Sequence, residues 1–214
     1  KDRLFLSGAI RYDASSTFAP SERWQAFPKL SASYVVLTNR DGLVNNLRLR
    51  GAVGWAGSQP GIANAYSQFV TYGQLPFAGR PGFANDVTFG NPTLRNERAR
   101  EWEVGTEAGL FSGKVSVDAT YYNRLVSDLL FFRPLATSTG FSRQFFPIGS
   151  MSNKGVELMV KTTNVDAPNF KWSTTATYST NKNNVEKLDI LDFQSAGGYP
   201  NRIRAGQPAG VFYG

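Results

Sequence analysis

The 214 residues contain no cysteine and no histidine. Without thiols there is no disulfide framework and no thiolate zinc site, and without imidazole the commonest metal ligand and the usual general base are missing. Long hydrophobic runs are missing too. No apolar stretch approaches the roughly 18 to 20 residues of a membrane-spanning helix, and the mean hydropathy is -0.30. This excludes a helical membrane protein and leaves a barrel open, because a barrel strand is apolar only at alternate positions. The excess of 23 Lys and Arg over 16 Asp and Glu gives a formal charge of +7. These cations are scattered, with no basic stripe interleaved with aromatics, so they suit a solvated surface or the wall of a polar lumen better than nucleic acid. Carboxylate pairs such as Glu101 and Glu103 are the catalytic candidates that remain, and their spacing says only that they share one strand face. No enzyme, cofactor or resident metal is expected.

What is present is aromatic and turn-rich, with 14% Phe, Trp and Tyr, 21 Gly and 11 Pro, a profile of many strands and few helices. The dominant signal is alternation with period two in segments about ten residues long. Leu4, Leu6, Gly8, Ile10 and Tyr12 share one face, opposite Arg3, Ser7, Arg11 and Asp13. The pattern returns with Leu47, Leu49, Val53 and Trp55 against Arg48 and Arg50, and with Trp102, Val104, Ala108 and Leu110 against Glu103 and Glu107. Val115, Val117, Ala119, Tyr121 and Leu125 then oppose Ser116, Asp118, Thr120, Tyr122 and Arg124, Val156, Leu158 and Val160 oppose Glu157 and Lys161, and Trp172, Ala176 and Tyr178 oppose Lys171, Ser173 and Thr175. With a run at 29–36 and a start near Gly210, the count is roughly eight strands.

Connections alternate in length. A tight turn at 111–114 and a short one at 164–169 contrast with long links at 57–100, 133–152 and 182–207. A link as long as the first needs an architectural reason; transmembrane barrels supply one, with short periplasmic turns and long outer loops. Asn91-Pro92 is expected to close the first link, and Asn153 with Gly155 to mark a bulge or strand entry. Trp24, Trp55 and Trp102 would lie near an outer rim and Trp172 near an inner one, or all four could fill the core of a soluble sandwich. The Gly-rich stretch at 73–90 lacks phosphate-loop spacing and reads as loop. The chain starts and stops within strand-like runs and reads as an interior piece of a longer protein.

Several strings resemble the SusC-like (SusC/RagA) branch of TonB-dependent outer-membrane transporters. They are Arg11-Tyr12-Asp13-Ala14-Ser15-Ser16-Thr17-Phe18, Phe27-Pro28-Lys29-Leu30-Ser31-Ala32-Ser33, Asn46-Leu47-Arg48-Leu49-Arg50-Gly51 and Gly90-Asn91-Pro92-Thr93-Leu94-Arg95-Asn96-Glu97. Tyr121-Tyr122-Asn123-Arg124 with Asp128-Leu129-Leu130, Asn153-Lys154-Gly155-Val156-Glu157-Leu158, Phe170-Lys171-Trp172 with Asn181-Lys182-Asn183, and the segment from Gly206 to Gly214 extend the likeness in order along the whole chain. Ala14, Thr17 and Thr93 depart from that pattern.

The resemblance implies an all-β fold, with residues 1–214 as one partial barrel domain of antiparallel transmembrane strands, lacking the plug and the C-terminal strands. It implies TonB-dependent uptake of a glycan, peptide or similar nutrient across the outer membrane of a Gram-negative, Bacteroidetes-type bacterium. The implied partners are the TonB complex, acting through the plug, a SusD-like surface lipoprotein, an oligosaccharide or peptide substrate and outer-membrane lipid, with no nucleic acid. Arg48, Arg50, Glu103, Glu107, Glu157 and Lys161 are the candidates to line the lumen and to pair across strands or with the plug. Tyr66, Phe69, Tyr72 and Phe83, in the longest link, are the candidates to meet substrate or a lid. The competing reading is a soluble carbohydrate-binding or adhesion β-domain, which would have to bury its apolar face under a second sheet.

Overall fold

The structure is a computed structural model, and it describes residues 3–16, 18, 20–39, 42–58, 72–74, 79–81, 83–85, 88–190, 193–194 and 201–212. In chain order the strands are β1 (Leu4–Ala14), β2 (Trp24–Thr38), β3 (Val44–Ser58), β4 (Tyr72–Gln74), β5 (Phe83–Asn85), β6 (Thr88–Phe89), β7 (Glu97–Leu110) and β8 (Val115–Ser127). They continue as β9 (Leu130–Pro134), β10 (Arg143–Pro147), β11 (Gly149–Ala167), β12 (Phe170–Ser179), β13 (Lys182–Leu188), β14 (Phe193–Gln194), β15 (Asn201–Ile203) and β16 (Val211–Phe212).

One antiparallel wall dominates. Its order is β1-β2-β3-β7-β8-β11-β12, each strand pairing with the one before it, while β13 pairs with β11 rather than with β12. Alternation along each strand and register across strands agree: Leu30 lies opposite Val53, which lies opposite Trp102, and Arg48 lies opposite Glu107, which lies opposite Asp118. A shift of one residue would mix the two faces, so the pattern specifies the register. Pro28, which has no N–H to donate, lies just beyond the last β2–β3 pair, Lys29 with Gly54, where no ladder bond is lost.

The eighth strand of the sheet is β13, whereas the segment near Gly210 forms the two-residue β16 in a separate three-stranded sheet with β14 and β15. β12 and β13 are collinear along β11. Glu157 pairs with Ser179 and Lys154 with Lys182, while Thr180 keeps the ladder through its N–H to the Val156 carbonyl. The expected long link at 182–207 therefore opens with seven more residues of wall. The expected turn at 164–169 is also shorter than its sequence suggests. β11 runs on to Ala167, Asn164 is the extra residue of a bulge whose side chain bonds Thr162 and Thr174, and the turn itself is 168–169.

Two of the long links carry structure of their own. The expected link at 133–152 is largely the β9–β10 hairpin, whose first strand already begins at Leu130, joined by β6 from the preceding link. Its rings stack, Phe132 on Phe145 and Phe89 on Phe141, and Arg133 and Arg143 lie over Phe146 and Phe132. The fully buried side chains among the described residues, Leu94 and Ile148, lie at this end of the molecule. The wall itself has no covering layer among the described residues: Leu6, Leu30 and Tyr178 on its apolar face are 70%, 58% and 61% exposed. The chain exposes 14696 Å2, where a compact soluble monomer of its mass would expose about 9,800 Å2.

Candidate functional site

The polar face of the wall is built around Arg50. It projects from β3 directly opposite Gly105 on β7, and the missing side chain there leaves a slot through which the guanidinium reaches the next strand. A Cβ on Gly105 would lie 2.8 Å from Arg50 Nε and 3.1 Å from Thr120 Oγ1. Through that slot Arg50 Nη1 and Nη2 donate to Asp118 Oδ2 and Oδ1 at 2.9 and 2.8 Å, and Nη1 also donates to Glu107 Oε1 at 2.8 Å. Thr120 Oγ1 accepts a further bond from Nη2. Arg48 approaches the other oxygen of Glu107 at 3.5 Å. The fork shape of the guanidinium makes this three-strand staple possible, since an ammonium could not address both oxygens of Asp118 in parallel.

Toward the loop end the same face carries a groove of about 660 Å3, lined among others by Glu97, Glu101, Glu103, Tyr122, Arg124 and Glu157. Arg124 approaches Glu101 at 3.9 Å. The side chains of Glu103 and Glu157 form no hydrogen bond or ion pair with a described residue, and neither does that of Lys161, which lies opposite Ser116 and Thr175. A second concavity, of about 450 Å3, opens where β2 and β3 separate, with Phe18, Gln25, Phe27 and Asn96 on its walls.

The beta-barrel model of TonB dependent receptor-like proteins matches residues 1–210. The chain belongs to the TonB-dependent receptor family. It is 31% identical to TonB-dependent receptor P26 of Formosa agariphila over its whole length, which is 23% of that protein, and 26% identical to TonB-dependent receptor SusC of Bacteroides thetaiotaomicron, with 87% of this chain and 20% of SusC covered. Among solved structures, the RagAB peptide importer in its closed-closed state superposes with a TM-score of 0.83 at 24% identity, over 96% of this chain and 23% of the importer chain. The siderophore receptor PirA from Pseudomonas aeruginosa gives 0.57 at 17% identity, over 87% of this chain and 32% of PirA. The chain thus spans less than a quarter of the length of the curated relatives it matches.

Within this TonB-dependent receptor barrel segment, the six polar-face candidates divide. Arg48, Arg50 and Glu107 come together in the staple, Glu103 and Glu157 face the groove, and Lys161 stands apart. Of the loop candidates, Tyr66 and Phe69 lie outside the described residues. Tyr72 and Phe83 fall on the β4–β5 ribbon, opposite Asn85 and Gln74 respectively. Asp118 falls on the polar face by alternation, and Gly105 does so between Glu103 and Glu107, but their partnership with Arg50 leaves no local mark, since Asp118 is 68 residues away.

Asn91 is a further residue whose role emerges only in three dimensions. It is buried, its Nδ2 donates to the Phe145 carbonyl at 2.9 Å, and its Oδ1 accepts from the Thr93 N–H and hydroxyl at 3.0 and 2.9 Å. Besides closing a link as expected, it ties that link to the β9–β10 hairpin. Gly155 and Asn153 are likewise mid-strand rather than at a bulge. The adjacent register shift falls between Ser150 and Met151, where Glu186 of β13 is the extra residue.

The staple makes a direct prediction. Glu107 and Asp118 face each other across β7 and β8, so Arg50→Met in the full-length receptor leaves two carboxylates opposed with no cation between them. The three groups are about one-third exposed, so water screens much of the penalty, and we expect a loss of about 1–2 kcal/mol. Arg50→Lys should recover only part of it. Urea unfolding of the receptor in detergent measures both; an Arg50→Met receptor as stable as the parent would mean that the staple contributes nothing.

Proposed function

We propose that this segment is part of the wall of an outer-membrane conduit that imports a nutrient, a glycan or a peptide, under the control of a plug coupled to the TonB complex and beneath a SusD-like surface lipoprotein. The observation that carries this reading is the two-faced wall: an open apolar face on one side and a face of fixed charges and hydrogen-bonding groups on the other. An apolar face with no covering layer is stable against lipid and unstable in water. A polar face offering many weak partners suits a hydrated cargo that must both enter and leave. Seven neighbouring strand positions supply about a third of a barrel of roughly 22 strands. The RagAB peptide importer, whose name gives its cargo as peptide, supports the peptide alternative, and the soluble-domain reading is disfavoured by the large exposed area.

The strand ends support a sidedness. The β3–β7 and β8–β11 links leave from one end of the wall, and the β7–β8 and β11–β12 turns from the other. We assign the first end to the outside and the second to the periplasm. In the full-length protein on intact cells, an impermeant thiol reagent should label Ser138→Cys and leave Lys114→Cys and Asn169→Cys unlabelled until the membrane is opened. All three original side chains are exposed. Equal labelling of the three before permeabilisation would refute the membrane assignment. Oligosaccharide or peptide uptake by the same cells, abolished when TonB is removed, tests the transport itself.

A further inference from the structure

On the outward face, cross-strand rows through β7, β8 and β11 can be followed from one end of the wall to the other. Leu110–Val115–Thr162, Ala108–Val117–Val160, Thr106–Ala119–Leu158 and Val104–Tyr121–Val156 form an apolar band. The next row is Trp102–Asn123–Lys154, in which the Trp102 ring stacks on Tyr121 of the row below at 5.5 Å between centroids. Beyond it come Arg100–Leu125–Ser152 and then Arg98–Ser127–Ser150. The chemistry changes from apolar through aromatic to cationic in three steps along the strands.

The sequence of β7 accounts for this. In Glu97-Arg98-Ala99-Arg100-Glu101-Trp102-Glu103 the period of two sends the three carboxylates to the polar face and both guanidinium groups outward. Arg98 and Arg100 are exposed, and their side chains form no hydrogen bond or ion pair with a described residue. Lys154 is exposed as well. A hollow of about 400 Å3 lies among Arg100, Trp102, Asn123, Ser152 and Lys154. The one carboxylate that borders it, Glu186, accepts a hydrogen bond from the Ser152 hydroxyl and lies within electrostatic reach of Lys154, whose charge it offsets in part. The patch is local. At the same end of β1 and β2 the outward positions are Tyr12, Ala14, Trp24 and Ala26, without a cation.

We propose that this hollow is a seat for the phosphate of an anionic lipid headgroup in the outer leaflet, with Arg100 and Lys154 as the charge partners, Asn123 as a neutral donor and Trp102 marking headgroup depth. The proposal rests on the outward face being the lipid face. Cations placed just beyond the hydrocarbon band meet headgroup phosphates at low cost, because the phosphate sits at the same depth, whereas cations within the band would be unpaired. A soluble acidic partner would have to approach a surface that borders directly on the apolar band, so lipid is the occupant that fits.

The test uses the full-length receptor in phosphatidylcholine nanodiscs containing a minor fraction of phosphatidic acid, with retained lipid counted by native mass spectrometry after partial release. The receptor should retain phosphatidic acid in preference to phosphatidylcholine. Retention should fall roughly fivefold for each cation removed in Arg100→Gln and Lys154→Gln, and Lys154→Arg should preserve it. Arg124→Gln, on the polar face, should leave it unchanged. Equal retention by parent and double variant, or equal loss in Arg124→Gln, would overturn the proposal. Inorganic phosphate that binds as well as the lipid in pure phosphatidylcholine discs would also overturn it, by showing a free-anion site. The readout needs neither cargo nor TonB, so loss of transport and loss of lipid retention fail separately.

Discussion

In the full-length receptor, Val160→Arg is expected to abolish barrel assembly, while Met159→Arg, one residue earlier, is expected to be tolerated. A hydropathy argument treats the two changes alike, since both replace an apolar residue with the same cation. The wall separates them. Val160 lies in the outward row with Ala108, Val117 and Ala176, in the middle of the apolar band. A guanidinium there costs about 2–4 kcal/mol at the midplane of a barrel membrane, which is a large share of a typical stability margin. Met159 points to the opposite face and lies directly across from Asp118 and Thr177. An arginine at that position gains a carboxylate neighbour and stays in the polar interior. Val117→Arg, in the same row as Val160, should behave as Val160→Arg does. The folded fraction, read as the form that keeps its compact mobility in unheated detergent electrophoresis, measures all three. Similar folded fractions for Val160→Arg and Met159→Arg would mean that the faces are assigned wrongly.

Gly155→Ala should be nearly as damaging, although it adds a single methyl group. Gly155 stands on β11 opposite Asn181, where β12 passes into β13 and the Thr180 carbonyl presses against the β11 backbone. A Cβ at Gly155 would overlap that carbonyl oxygen and approach the Tyr122 hydroxyl to 2.8 Å. The obstruction is backbone, which cannot rotate away as a side chain would. Relief requires β12 or β13 to leave the ladder, and we expect a cost of about 3 kcal/mol, at the upper end of overpacking penalties. Gly54→Ala provides the comparison, because the nearest atom to its added Cβ is Lys29 Cβ at 3.8 Å, an ordinary contact. Hydrogen exchange of the β13 amides in Gly155→Ala should rise to the level of an open edge. Protection equal to that of the parent would show that the junction adjusts without separating.

The strand-by-strand division into apolar and polar faces, the tight turn at 111–114 and the resemblance to the SusC-like branch were all legible in the amino-acid sequence. A strand with one face toward an apolar medium writes that fact locally, in alternate residues, and a short antiparallel connection writes itself in the few residues that turn. The six charged candidates share one face of the wall for the same reason. Their partnerships were not legible, because a partnership depends on register between strands that lie far apart in the chain. The slot at Gly105 that lets Arg50 reach Asp118 exists only once β3, β7 and β8 are aligned. Asn91 is an unremarkable turn residue until β10 brings the Phe145 carbonyl to it. The continuation of β12 into β13 is not legible because Lys182-Asn183-Asn184 carries a turn-like composition, yet the free edge of β11 offers those residues ladder hydrogen bonds that outweigh their weak strand preference. Local alternation thus decided which side of the wall each residue faces, and only the alignment of strands decided which residues meet there.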